Sequence, residues 1–174
     1  MIKRVTECDL SGVKLIELDL FKDFRGTYQE TYNFNEYRDN GLNIDFVQDD
    51  ISISKFNVLR GLHGDKNTWK LVSCLQGEFF LAVVNFDKTS KQFCKHHTFV
   101  LNGNDNYQVL IPPSFGNGHL VLSEKTIFHY KQSTYYEGME KQFTLRWDDP
   151  KLNITWPSNN PILSKRDLSA SFIQ

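Results

Sequence analysis

The densest group of reactive side chains in the sequence is Val58-Leu59-Arg60-Gly61-Leu62-His63-Gly64-Asp65, with Lys70 close behind it. Histidine has the free pKa nearest neutrality, which makes His63 the first candidate for a general base. It stands where a β-rich run meets glycine, a place that reads as a sheet rim open to a ligand. Side chains two apart on a strand share a face, so Arg60 and Leu62 are expected on one side and Gly61 and His63 on the other. A strand-end histidine bonded to backbone would give the same pattern. Tyr130, in Phe128-His129-Tyr130-Lys131, is a candidate acid. A phenol, with a pKa of about 10, donates a proton only when it is held in place and regenerated. A core tyrosine with a satisfied hydroxyl is the competing reading.

Asp167 can orient His63 by accepting from one ring nitrogen and fixing the tautomer. Yet Ser164-x-x-Asp167 also has capping-box spacing, and the two roles would compete for one carboxylate. Arg25 and Arg60 suit two-pronged phosphate binding, or equally a surface ion pair. A metal site is not advertised. His96 and His97 are adjacent, so a strand sends them to opposite faces, and His63, His119 and His129 show no H-x-H or H-x-x-x-H pairing. Two histidines and a carboxylate could still assemble in space. Neither a phosphate-binding G-x-x-x-x-G-K-[ST] loop nor a dinucleotide fingerprint is present.

The elements that must hold these groups are mostly strands. Val13–Leu18 alternates, Asp23-Phe24-Arg25-Gly26 marks a turn, and Asn33–Gly41 reads as a helix with an Asn cap and a Gly stop. Strand-like segments follow at 44–54, 57–63, 70–75, 78–85, 97–101, 107–111, 119–122 and 127–131, parted by Gly, Asn, Asp and Pro. Gln76-Gly77, Asn102–Asp105 and Pro112-Pro113-Ser114 are the clearest turns, and Ser164 can cap a short last helix. The expected architecture is all-β: an antiparallel double-sheet jelly roll with short peripheral helices.

Bulk properties narrow the class. The 174 residues fit one domain, and a net charge of -1 argues against the basic footprint of a nucleic-acid binder. Cys8, Cys74 and Cys94 are odd in number and have no C-x-x-C pair, which suits a reducing cytosol better than a disulfide framework. The first residues hold no apolar signal core, and no apolar run nears the ~20 residues that span a bilayer. A cytoplasmic domain without membrane attachment is expected.

Several segments, in order, resemble the dTDP-4-dehydrorhamnose 3,5-epimerase family. They are Asp23-Phe24-Arg25-Gly26 with Glu30, Val47-Gln48-Asp49-Asp50-Ile51-Ser52, Val58–His63, Lys70-Leu71-Val72 with Gly77, and Ile111–Gly118. Tyr130-Lys131 with Tyr136, Trp147-Asp148-Asp149-Pro150, Ile154-Thr155-Trp156-Pro157 and Ile162–Asp167 complete the set. The resemblance implies a cupin-type jelly roll that uses no metal or cofactor. It implies a homodimer with exchanged N-terminal strands, acting on a nucleotide-diphosphate sugar. It gives His63 as base, Asp167 as its orienting carboxylate, Lys70 as the cation beside an enolate oxygen and Tyr130 as the acid on the opposite face. Arg25 and Arg60 match diphosphate contacts, while Glu30, Gln48 and Ser52 match the pocket lining, which Tyr136 joins.

The departures are specific. Asn117 stands where the family has a histidine, Asp50 where it has an amide, and Gly64-Asp65 where it has an aromatic residue and Gln. This combination resembles a branch that handles GDP-linked 4-keto-6-deoxy-heptoses in capsule synthesis. Asn117 cannot titrate, though its amide can orient a hydroxyl. Chemistry at carbon 3 is therefore expected to survive, with carbon 5 open. Three other readings share the pattern: a 3,4-ketoisomerase, a silent sugar-nucleotide binder, and a metal-dependent cupin.

Overall fold

A computed structural model describes residues 1–174 and is built almost wholly from antiparallel strands. One sheet has six strands in the order β1 (Ile2–Glu7), β2 (Lys14–Leu18), β10 (Tyr107–Ile111), β7 (Lys70–Gln76), β12 (Lys125–Gln132), β5 (Gln48–Lys55). The second has five, in the order β13 (Phe143–Thr144), β6 (Leu59–Gly64), β11 (Phe115–Val121), β8 (Glu78–Asn85), β9 (His96–Asn102). A small hairpin, β3 (Phe21–Asp23) with β4 (Gly26–Tyr28), stands outside both. Helix α1 (Phe34–Asp39) and helix α2 (Lys165–Leu168) are short and peripheral. This is the expected all-β jelly roll.

The core explains why the strands read as they do. Val72, Val109, Ile111 and Phe128 of the six-stranded sheet meet Phe79, Leu81, Val83 and Phe115 of the five-stranded one. Each such side chain contributes roughly 1.5–3 kcal/mol when fully buried. The outer faces are covered too. Ala82, Val84, Leu120 and Leu62 pack under Leu145, Leu152 and Trp156 of the C-terminal segment. Ile16, Leu18, Leu71 and Leu110 pack under Tyr37 of α1 and Leu42. Strands buried on both faces give continuous apolar runs, such as Leu81-Ala82-Val83-Val84, in place of alternation.

Element ends follow local chemistry. Asn33 caps α1, its side chain accepting from the amides of Asn35 and Glu36, as its type predicts. The expected strand at 44–54 begins later, at Gln48, and the one expected at 119–122 begins earlier, at Phe115, directly after the Pro112-Pro113-Ser114 turn. Strand β1 was not foreseen. A register shift between Ile2 and Arg4 breaks its alternation, so its apolar residues stand three apart.

Candidate active site

The β6 segment holds Arg60 and His63, and its geometry differs from a simple strand. Asn117 pairs with His63 and His119 with Arg60, so β6 holds one residue more than β11 between the same two rungs. A bulge of this kind resets the alternation of side chains. Arg60 and His63, expected on opposite faces, therefore both line one cavity, while Leu62 turns to the outer core. Gly61 makes the bulge possible. Its φ of +116 disfavours any side chain, and a Cβ there would lie 2.5 Å from the Gly118 Cα and 2.6 Å from the Asn117 carbonyl oxygen. Gly64 is also confined. A Cβ would strike the Phe115 carbonyl oxygen and stand 2.5 Å from the Phe143 ring, so no aromatic side chain fits at this position.

His63 Nε2 sits 2.6 Å from Asp167 Oδ1. Asp167 Oδ2 accepts the Ser164 hydroxyl at 2.7 Å, and Ser164 Oγ in turn accepts the Asp167 amide as the cap of α2. The two roles foreseen as rivals are thus divided between the two carboxylate oxygens and the serine. Burial alone would raise the Asp167 pKa. Hydrogen bonds from His63 and Ser164, the His63 charge and the Gly61 amide outweigh it and hold the carboxyl below its usual range. Asp167 is therefore a buried anion that keeps the proton of the neutral imidazole on Nε2 and leaves Nδ1 as the acceptor.

Lys70 lies beside this pair, donating to Asn117 Oδ1 at 3.0 Å and weakly to the His63 carbonyl at 3.4 Å. It is only 6% exposed, and burial pushes its pKa down to about 8, with Asp65 opposing and Arg166 assisting the shift. Tyr130 is half-buried on β12. Its phenol is pushed up to about 12, first by burial, then by Asp50 and Tyr136, with Arg60 opposing. His63 comes from the five-stranded sheet and Tyr130 from the six-stranded one, so imidazole and phenol enter the cavity from facing sheets.

The cavity has a volume of about 720 Å³ and is lined by Ser52, Arg60, His63, Lys70, Asn117, Tyr130, Tyr136 and Asp167 among others. It adjoins a more polar recess of about 790 Å³, the two sharing Gln132, Tyr136 and Gln142. Five buried side-chain atoms in the chain lack a hydrogen-bond partner, and three of them, Ser52 Oγ, His119 Nε2 and Arg166 Nη2, belong to residues lining this cavity. Buried polar groups are normally paired, so this concentration marks a surface shaped for a polar ligand. Nowhere do three His, Cys, Asp or Glu side chains gather as a metal-ligand set.

Three expected residues lie elsewhere in the single chain. Arg25 is on the exposed β3–β4 hairpin, with its guanidinium Nε 3.0 Å from Asp23 Oδ2. Glu30 approaches only the N-terminal amine, at 3.8 Å. Gln48 does not line the cavity; its side chain accepts the Tyr136 amide and donates to Asp50, which positions the Tyr136 loop. Conversely, His119, Gln132, Gln142 and Arg166 line the cavity and were not foreseen. For Arg166 a signal existed, its adjacency to Asp167. His119 read as a strand residue and as a histidine without metal-ligand spacing.

A family model described as dTDP-4-dehydrorhamnose 3,5-epimerase matches residues 7–174. The chain belongs to this family. The dTDP-4-dehydrorhamnose 3,5-epimerase of Shigella flexneri is 36% identical over 169 residues, which cover 95% of this chain and 93% of that one. The fold is equally close. The Legionella pneumophila epimerase, solved in complex with dTDP-4-keto-L-rhamnose, superposes with a TM-score of 0.92 at 34% identity, covering 97% and 92% of the two chains. The Bacillus anthracis epimerase, solved with TDP and PPi, gives 0.93 at 33%, covering 98% and 99%. As a member of this epimerase family, the protein is an enzyme of the isomerase class, and its jelly roll is the cupin type.

Proposed function

We propose that the enzyme inverts a carbon next to the keto group of a nucleotide-linked 4-keto-6-deoxy sugar by passing one proton in and another out on opposite faces. The observation that carries this reading is the entry of His63 and Tyr130 into one cavity from facing sheets, with Lys70 lining the same cavity and its ammonium 3.4 Å from the His63 carbonyl. Inversion needs removal on one side and delivery on the other. In the first step His63 Nδ1 takes the C–H proton, and the bond's electron pair moves into an enolate whose oxygen carries the charge. Lys70 neutralises that charge where it develops, the most effective place for a fixed cation. Asp167 stabilises the imidazolium. Tyr130, protonated through the neutral range, then gives its proton to the carbon from the other face. The imidazolium loses its proton to solvent and the phenolate regains one.

Arg60 is exposed at the cavity wall, held by Ser54 at 3.0 Å and free of any carboxylate, which suits a diphosphate. Arg25 and Glu30 join the site only across a homodimer with exchanged N-terminal strands. Support for that assembly comes from exposed aromatics on the β3–β4 hairpin and just beyond its strands, Phe24 at 98% and Tyr28 at 70%. On edge strand β5, Ile51 and Ile53 face solvent while Ser52 and Ser54 are less exposed.

The relatives are named for dTDP sugars, which makes a dTDP-linked 4-keto-6-deoxy-hexose the first substrate. Asn117, Asp50 and the closed Gly64 position favour a second candidate, a GDP-linked 4-keto-6-deoxy-heptose. Incubation of dTDP-, GDP- and CDP-linked 4-keto sugars in heavy water, with product NMR, tests the reading. Deuterium at carbon 3 with inversion is expected, and the same spectra read carbon 5. A carbonyl moved to carbon 3 would make the enzyme a ketoisomerase, and exchange in none of the sugars would defeat the epimerase reading.

A further inference from the structure

Of the residues around the cavity, His119 has no part in the proton transfers above, yet its surroundings are built with care. It is 3% exposed, stacked on Phe128 at 4.0 Å between centroids with the rings 6° from parallel, and tilted against Phe79 at 5.4 Å. Its Nε2 is buried with no partner in the chain, and the residue lines the cavity. An imidazole that only filled space would leave this nitrogen's desolvation uncompensated, a cost that a phenylalanine would avoid.

Register places the ring between two functions. On β11, His119 pairs with Arg60 and Asn117 with His63. Residues two apart on a strand share a face, so Asn117 and His119 look into the same cavity, one at the reacting end and the other at the proposed diphosphate end. A sugar nucleotide held by its diphosphate at Arg60 and by its reacting carbon 3 at His63 has two ring carbons between those anchors. Carbon 1 bears the diphosphate, and carbon 2 carries the one free hydroxyl between them. We propose that His119 recognises the hydroxyl on carbon 2 of the sugar and thereby selects 2-hydroxy over 2-deoxy substrates. This deepens the epimerase reading and rests on it.

The electrostatics agree. Burial first, then the neighbouring charges of Arg60 and His63, push the His119 pKa down to about 3, so the ring stays neutral at any working pH. A neutral imidazole offers one donor and one acceptor, the complement of a hydroxyl.

The test pairs His119→Phe, which keeps the ring stack and removes both nitrogens, with 2-hydroxy and 2-deoxy forms of the accepted 4-keto sugar nucleotide. The wild-type enzyme should prefer the 2-hydroxy form by at least about tenfold in kcat/KM. The variant should lose that preference, chiefly through a higher KM for the 2-hydroxy form. Equal losses on both substrates, or an unchanged preference, would overturn the assignment and leave a packing role. If the variant fails to melt cooperatively, ¹⁵N-histidine spectra of the wild-type chain decide. The His119 ring nitrogens should shift with the 2-hydroxy ligand and not with the 2-deoxy one; equal shifts would refute the contact. A wild-type enzyme that exchanges deuterium in neither sugar would bring down the epimerase reading and this inference together. Exchange without discrimination would bring down this inference alone.

Discussion

Asp167 holds His63 Nε2 at 2.6 Å through one carboxylate oxygen while the other oxygen accepts the Ser164 hydroxyl that caps α2. The carboxylate that contacts His63 is thus also a structural member of the last helix. Asp167→Asn should therefore separate two effects. Loss of the anion should lower kcat by about 10²–10⁴-fold, because the imidazolium is no longer stabilised and the tautomer is no longer fixed. The amide oxygen can still accept the serine proton, so the melting temperature should fall only slightly. Steady-state rates beside a thermal melt measure both.

Ser164→Ala removes the cap and one of the hydrogen bonds that keep the Asp167 pKa low. A cap of this type stabilises by about 1 kcal/mol. The expected result is a modest loss of stability and a smaller loss of rate than Asp167→Asn causes. A rate equal to that of Asp167→Asn would mean that the serine does more than hold the carboxylate.

The role proposed for Lys70 links activity to pH. With a pKa of about 8 it loses its charge on the alkaline side of neutrality, so kcat/KM should decline as pH rises through that region. The sign for stability is opposite. The unfolded lysine keeps its ordinary pKa near 10.5 and binds more protons between those two values, so this group's contribution to stability rises with pH across that interval. At neutral pH its buried charge opposes folding by roughly 3 kcal/mol at most. Lys70→Met should therefore remove nearly all activity without lowering the melting temperature, apart from the cost of leaving Asn117 Oδ1 unpartnered. A clear drop in stability with full folding of the wild type as reference would contradict this balance.

Gly61→Ala tests the bulge. The added methyl group would meet the β11 backbone at 2.5 Å in a conformation that disfavours side chains. A loss of at least about 2 kcal/mol in urea unfolding is expected. Activity should fall further than stability accounts for, because Arg60 and His63 share the cavity only through this irregularity.

Much of the fold was legible because its signals are local. Asn33 and Gly41 bound the first helix, and Pro112-Pro113-Ser114 and Gln76-Gly77 end strands by turn chemistry. Two of the failures share one cause, irregular register. The shift in β1 hid a strand, and the bulge in β6 reversed the side-chain alternation on which the facing of Arg60 was read. The catalytic candidates were found by residue type and resemblance, and the cavity gathers His63, Lys70, Tyr130 and Asp167. His119 escaped notice because a buried histidine and a core aromatic look alike in sequence; only an unpaired nitrogen at a cavity wall distinguishes them. Arg25 and Glu30 stand apart from the cavity in the single chain, and the proposed homodimer is what would bring them to it.

The most direct measurement is the reaction of Tyr130→Phe and His63→Asn with the accepted 4-keto sugar in heavy water, read by NMR. His63→Asn should lose at least the ~10²–10⁴-fold that a general base contributes, with no deuterium at carbon 3. Tyr130→Phe should take up deuterium at that carbon with its original configuration, since the histidine face still exchanges while the opposite face has no acid. Inverted product from Tyr130→Phe at the wild-type rate would contradict the account.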